Sequence, residues 1–280
     1  MALLNGYRAP MDAPLEKPPF AWQPLTARGV AAFARASWGR LFLVQFVVAL
    51  GAVFAVLWFL QTAWFPAIVA AIRQLPAQAE IRSGKLEWSA DSPLRLAENR
   101  FLAFAVDLQH QGELRSSAHV EVELGESDYK IVSLLGFVEK HYPAGWTVAL
   151  NRDELEPRWG AWKPAILAIA AASVLIGLTA GWMLLATIRC FAAWLAGFFS
   201  NRDLSLRGSW KLAGAALLPG LLFLSGAIVL YGAGALDLVR LAFAAGFHFL
   251  IGWIYLFAGV FCLPRHPEAP ATNKNPFVEF

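Results

Sequence analysis

The sequence predicts a membrane α-helical bundle of four transmembrane helices plus an interfacial helix, with an inserted extracytoplasmic α+β domain. Three observations lead there. The chain is 58% hydrophobic and only 15% charged, whereas about a quarter of residues are charged in an ordinary soluble domain. Its apolar residues gather into uncharged runs long enough to cross a bilayer. Between two of those runs, from Ala186 to Gly220, the stretch ATIRCFAAWLAGFFSNRDLSLRGSWKLAGAALLPG sets Arg189, Arg202, Arg207 and Lys211 against the single acid Asp203. Short connections rich in Lys and Arg stay on the cytoplasmic side, so this segment orients everything else.

Composition also excludes some classes. The net charge of +3 does not indicate a nucleic-acid partner, because the positive residues stand at the ends of apolar runs and form no single basic face. The two cysteines, Cys190 and Cys262, fall where apolar runs end on the side assigned to the cytoplasm, so no disulfide framework is implied. The extracytoplasmic segment has no cysteine and must hold together by its own core or by docking on the helices.

Residues 1–40 read as a cytoplasmic Pro-rich tail and an amphipathic segment. The prolines of RAPMDAPLEKPPFAWQPL remove backbone donors and disfavour a continuous helix, which leaves an extended tail. From Thr26, TARGVAAFARASWGR spaces Val30, Phe33 and Trp38 among Arg28, Arg35 and Arg40. That pattern suits an amphipathic helix on the membrane surface, or an N-terminal extension of the next helix. Residues 41–72 carry the first span. No charge occurs between Arg40 and Arg73, and LFLVQFVVALGAVFAVLWFL supplies about 20 residues at 1.5 Å rise each. Trp58 and Trp64 mark its outer end. A secretory signal competes, with AQA at Ala77–Ala79 resembling a cleavage site. The charged region before the core is too long for that, and the site lies too far beyond it, so an uncleaved anchor is expected.

Composition changes near Leu75, and residues 73–162 read as the extracytoplasmic α+β domain. AEIRSGKLEWSA suggests two short strands around Ser83-Gly84, RFLAFAVDL a buried strand, and AHVEVELGESDYKIVSLL a hairpin with Val120, Val122 and Leu124 on one face. FVEKHYPAGWTVALNRDELEPRWGAWK offers one short helix and then a strand ending in VAL. Asn151 can cap a final helix with Glu154 three residues later, feeding directly into the second span. At about 90 residues the domain can bury only a modest core.

Residues 163–263 read as a three-helix transmembrane region with a cytoplasmic interfacial loop. Pro164 to Ile188 spans inward, with Trp159 and Trp162 as an aromatic belt. RCFAAWLAGFFSNR is apolar but bracketed by Arg189 and Arg202, and about 12 residues cannot cross the hydrocarbon, so it should lie along the inner interface. Leu212 to Leu236 returns outward and Val239 to Leu263 comes back. The cytoplasmic tail 264–280 follows, placing both termini inside.

Candidate sites are few. Pro219 and Gly220 fall inside the third span, where proline removes a helix hydrogen bond and kinks the chain; the kink serves as a hinge or binding notch, or simply as packing. His248 is the most central ionisable residue of the fourth span, a functional candidate or a neutral ring bonded to a backbone carbonyl across a helix interface. Gly177 and Gly181 form a GxxxG, and Gly51 with Ala55 a weaker version, suited to helix contact within the bundle or in a homo-oligomer. His110, His119 and His141 lie among Asp107, Glu121 and Glu123, but without metal-ligand spacing, so they read as solvated surface. No cofactor, metal or catalytic fingerprint is present. The external sheet could accept a partner strand at an exposed edge.

Three segments in the insert, QLPAQAEIRSGKLEW, DSPLRL and FLAFAVDL, and the loop SNRDLSLRGSWKLAGAALLPGLL in the membrane part, resemble the Yip superfamily of bacterial membrane proteins. The resemblance is to the branch with a large insert after the first helix, often named after maltodextrin utilisation. It covers about Leu41 to Leu263, with Gly84, Pro93, Asp107 and Pro219 as individual matches. The chain has one apolar span fewer than the five usual there, which leaves Cys190 to Phe199 as a remnant or re-entrant piece. The resemblance implies a helical bundle in a bacterial inner membrane and supplies no catalytic residue to carry over. The expected function is a non-enzymatic scaffold, adaptor or envelope sensor that binds a protein, peptide or saccharide through residues 80–156. The alternative is a transport component using His248 and the Pro219 kink.

Overall fold

The computed structural model of the chain describes residues 23–112 and 114–265. Most of the Pro-rich stretch and residues 266–280 of the C-terminal tail lie outside the described residues. Among the described residues, four helices are long and apolar enough to cross a membrane, Trp38–Arg73, Arg152–Phe199, Leu206–Gly232 and Leu238–Phe261, and a separate small β domain sits between the first two in sequence. The chain divides into two compact units. One is drawn from Met1–Val44, Leu184–Leu218 and Gly252–Phe280, the other from Gln45–Met183 and Pro219–Ile251.

In the first unit, α1 (Ala27–Phe33) starts where the Thr26 hydroxyl accepts a hydrogen bond from the Gly29 N–H, a helix N-cap. Four residues separate it from α2 (Trp38–Phe59), so it is no extension of that helix. Val30 and Phe33 are fully buried. Their neighbours are protein: a Cβ on Gly259 of α7 (Leu238–Phe261) would meet Val30, and one on Gly208 of α5 (Leu206–Ala216) would meet the Ala34 carbonyl. The apolar face read as suited to lipid is therefore spent on packing. The basic residues are also used. Lys211 donates to the Ala36 carbonyl at 2.6 Å, Arg202 to the Leu263 carbonyl at 2.6 Å, and Arg35 pairs with Asp203 at 2.7 Å. The first two bonds satisfy carbonyls just past helix ends, where cations are favoured.

Residues 190–199 form no separate interfacial helix. They continue α4 (Arg152–Phe199), a single helix of 48 residues, about 72 Å long at 1.5 Å per residue. No proline lies between Ile188 and Phe199, and the lone Gly197 keeps its backbone N–H, so the ladder runs on. Asn151 caps its start, accepting from the Glu154 N–H at 2.9 Å, and Pro157 and Pro164 are tolerated near its beginning.

The second unit holds the β domain. β1 (Ala79–Arg82) and β2 (Lys85–Trp88) form the expected hairpin, turning through Ser83 and Gly84 at φ 51° and 80°. β8 (Thr147–Ala149) completes a three-stranded sheet in the order β2-β1-β8. The second sheet runs β3-β4-β5-β6-β7, from β3 (Leu94–Glu98), β4 (Leu102–Val106), β5 (Val120–Leu124), β6 (Asp128–Ser133) and β7 (Gly136–His141). All neighbours are antiparallel except β4 and β5. The core gathers Ile81, Leu86, Leu96, Val106 and Tyr142 around Ala71 of α3 (Phe65–Arg73). The short helix expected in FVEKHYPAGWTVAL is corrected here. FVEKH is strand β7, paired with β6 across the Leu134-Leu135 turn, and the described residues between Gln74 and Asn151 contain no helix. Cross-strand pairing with Ile131 and Val132 outweighs the local pattern.

Candidate functional site

The β domain is fastened to helix ends at one end of its second sheet. Between α2 and α3, Leu60–Trp64 is π-helical, a wide turn that often marks functional positions. Asn99, just before β4, donates to the Ala63 carbonyl of that segment at 2.6 Å and accepts from the Phe101 and Leu102 N–H groups at 2.8 and 2.9 Å. Arg100 donates to the carbonyls of Gly234 and Leu236 at 2.8 and 2.7 Å, in the turn after α6 (Leu218–Gly232). Phe101 packs against Phe59 and Tyr231, with ring centroids 5.4 and 5.0 Å apart. His119, just before β5, stacks on Tyr231 and is hydrogen-bonded to its hydroxyl at 2.5 Å. Burial, then the charge of Arg100, holds the His119 ring below its ordinary range, so it is neutral at pH 7. Close packing supports the junction: a Cβ on Gly232 would collide with the rings of Trp58 and Phe59.

A second cluster organises the loop after β4. His110, at φ 51°, sets its ring between Glu123 of β5 and Asp128 of β6, bonding each with one ring nitrogen. Burial opposes the charged ring, but the two carboxylates outweigh it and the His110 pKa is raised. Asp107, 3% exposed, accepts from the N–H groups of Gln109 and Gly112. The solvated-surface reading therefore fails for His110, His119, Asp107 and Glu123, because residues far apart in sequence converge across strands. It holds for His141, whose side chain is 79% exposed. Among the described residues no group of three or more His, Cys, Asp or Glu side chains is placed to hold a metal ion.

The two candidates within the apolar helices meet. Leu217 ends α5, and α6 restarts at Leu218 with Pro219 in its first turn, the break that a proline N–H deficit produces. Gly220 lies directly against His248, whose carbonyl oxygen occupies the place a Cβ would take. The His248 ring bonds the Ala245 carbonyl one turn back in its own helix. Gly177, Gly181 and Gly51 do not mediate contact within the chain, for a Cβ on any of them would meet no heavy atom within 4 Å among the described residues. The in-chain packing expected of them is corrected: only 6% of the apolar window of α4 is buried, against 67% for α5–α6.

Two features rest on contacts that the sequence does not encode. Arg189, read as a loop charge, is 3% exposed, its guanidinium 4.7 Å from the Trp253 ring and beside Gly252, where a side chain would displace it. An arginine at the end of an apolar run followed by a tryptophan and a glycine in another run is the only trace of this. The other is β7, which among the described residues closes the second sheet with an unpaired edge and has every residue exposed. On the other sheet, a cleft of about 500 Å3 is lined by Glu80, Glu87, Trp88 and Ser89 beside Asn151 and Glu154. Compared with known proteins, the chain matches no family model, no curated protein and no solved structure.

Proposed function

We propose that this chain is an integral membrane protein that carries a partner-binding domain outside the cytoplasm and acts without catalysis, as a scaffold or envelope sensor. Its four apolar helices cross a bacterial inner membrane, as the Yip-like resemblance implies, with both termini in the cytoplasm and the β domain on the far side. The Lys- and Arg-rich connection from Arg202 to Lys211 supports that orientation. The observation that carries the binding role is the outer edge of β7, which pairs with no other strand among the described residues and is able to take a protein or peptide strand. The cleft beside Trp88 is where a small ligand such as a saccharide would sit. Asn99, Arg100 and His119 pass the state of the domain to the helix ends.

The test is site-specific photo-crosslinking from Lys140, an exposed β7 residue, in the full chain, in cells. A discrete adduct is expected. At least one of Val138→Pro and Glu139→Pro should remove it, since successive strand residues face opposite edges and one of the two prolines must delete an outward N–H. Absence of a reproducible adduct, or adducts indifferent to both prolines, would refute edge binding. A second reading, a transport component, is favoured by the contact of Gly220 with His248. It requires solute flux through reconstituted vesicles that changes on His248→Gln.

A further inference from the structure

We propose that the tip of the β6–β7 hairpin is a second membrane contact, dipping Leu134, Leu135 and Phe137 into the outer-leaflet interface beside the helices. The inference rests on the four-span reading above. Its first support is register. Leu102 of β4 pairs with Val120 of β5, Val120 with Ser133 of β6, and Ser133 with Gly136 of β7. These four residues form one row across the sheet.

What lies beyond that row on β4 and β5 is the end of the helices. Asn99, Arg100 and Phe101 precede Leu102, and His119 precedes Val120; all four contact the last turns or connections of the apolar helices. The Leu134-Leu135 turn projects beyond the same row on the same side. It therefore stands at the level of the helix ends. Adjacent strands lie about 4.8 Å apart, which sets the turn roughly 12 Å to the side of Phe101. Nothing in the described chain lies beneath it, for Leu135 is 97% exposed and Leu134 and Phe137 are 65% and 68% exposed.

The chemistry of the tip fits lipid. From Ile131 to Val138 the sequence IVSLLGFV has no charge, and the first charges, Lys130 and Glu139, face each other farther from the helices. Turns in water favour Gly, Asn, Asp and Ser, each for a backbone or hydrogen-bonding reason; here two leucines stand at the apex. The backbone is also closed on itself. The Ser133 hydroxyl donates to the Gly136 carbonyl and accepts from the Leu135 N–H, both at 3.3 Å, which spares polar groups that lipid cannot satisfy. An exposed apolar patch of this kind marks a membrane or protein contact, and its height and lateral position select the membrane. The β domain is then held at two points, by its clamp on the helix ends and by its hairpin in the leaflet.

The test uses the full chain with Cys190 and Cys262 replaced by Ser, reconstituted in phosphatidylcholine vesicles with and without lipid carrying a nitroxide near the glycerol. A polarity-sensitive fluorophore is placed singly by Leu135→Cys, Phe137→Cys, Lys140→Cys or Phe243→Cys. Blue-shifted emission with about twofold quenching at 135 and 137, and none at 140, is the expected result for side chains at interfacial depth. Position 243, on an exposed face of α7, reports the spanning helices. Quenching at 243 without quenching at 135 or 137 overturns the hairpin contact and leaves the spans standing. No quenching at any position overturns both. A blue shift at 135 that grows with protein density and ignores the nitroxide shows a second copy covering the tip, and also overturns the proposal.

Discussion

Replacing His110 by Gln tests whether the β domain is tied by a charged histidine. The side chains of His110, Glu123 and Asp128 are 17%, 14% and 10% exposed. A charge-assisted hydrogen bond contributes about 1.5–3 kcal/mol, and burial of the ring offsets part of two such bonds, so a net loss of about 2 kcal/mol is expected. The sign with pH follows from the raised pKa of His110. The folded state binds the proton more tightly than the unfolded chain, so this stabilisation is complete below about 6.5 and disappears as pH rises through the folded value. Hydrogen exchange over Asp107–Asp128, comparing wild type and variant at each pH, measures it. Protection should differ by about 30-fold near pH 5.5, with the ratio shrinking at alkaline pH. Gly125→Ala should reproduce the loss, because its Cβ would displace the His110 ring. A wild-type to variant ratio that does not change with pH would refute a charged His110.

Gly220→Ala forces the α6 backbone away from the His248 carbonyl and should cost about 1–3 kcal/mol as overpacking, read as a lower melting temperature in detergent; Gly226→Ala, which meets nothing within 4 Å, should melt like wild type. Asn99→Asp keeps both acceptor bonds to the turn but replaces the donor to Ala63 with a carboxylate facing a carbonyl. It should destabilise the junction by about 1–2 kcal/mol, visible as faster exchange around Leu60–Trp64, and unchanged exchange there would refute the clamp. Gly177→Leu and Gly181→Leu should leave the melting temperature of the isolated chain unchanged; a clear drop would show that the GxxxG face is packed after all.

Local chemistry was legible in the sequence wherever it acts over a few residues. Ser83-Gly84 announces a tight turn because glycine enters the left-handed region freely, Asn151 with Glu154 announces a cap, and Pro219 announces the break between α5 and α6. The charge-free runs declare the apolar helices because nothing else in a chain of this size looks like them. What escaped depends on partners distant in sequence. FVEKH pairs with DYKIV across a turn of two leucines, which carries no turn signal. His110 finds Glu123 and Asp128 only once β5 and β6 are side by side. Arg189 gains its tryptophan from a helix more than 60 residues later, and no periodicity encodes that. The GxxxG of α4 is a legible pattern, but it states only that close approach is allowed, not by which helix.

The clamp and the hairpin belong to one mechanical element. β4 and β5 end in the residues that grip the helices, and pairing is continuous from β5 through β6 to β7, so a strand added to β7 loads the same row that holds Ala63, Gly234 and Tyr231. A sheet transmits such a load with little internal give, because its ladder and packed face resist shear. The helix ends are less uniform. Leu60–Trp64 is a π segment whose Ala63 carbonyl is held by the Asn99 side chain, and a π turn can relax toward α by shifting its hydrogen bonds by one residue. Such a shift would rotate the helix beyond it by about 100°, one residue's turn of an α-helix. Under the proposed function this makes the π segment the place where two discrete arrangements are available, and Asn99 the group whose contact with it differs between them. Discrete alternatives, not gradual deformation, are what a packed bundle requires of a signal that crosses it.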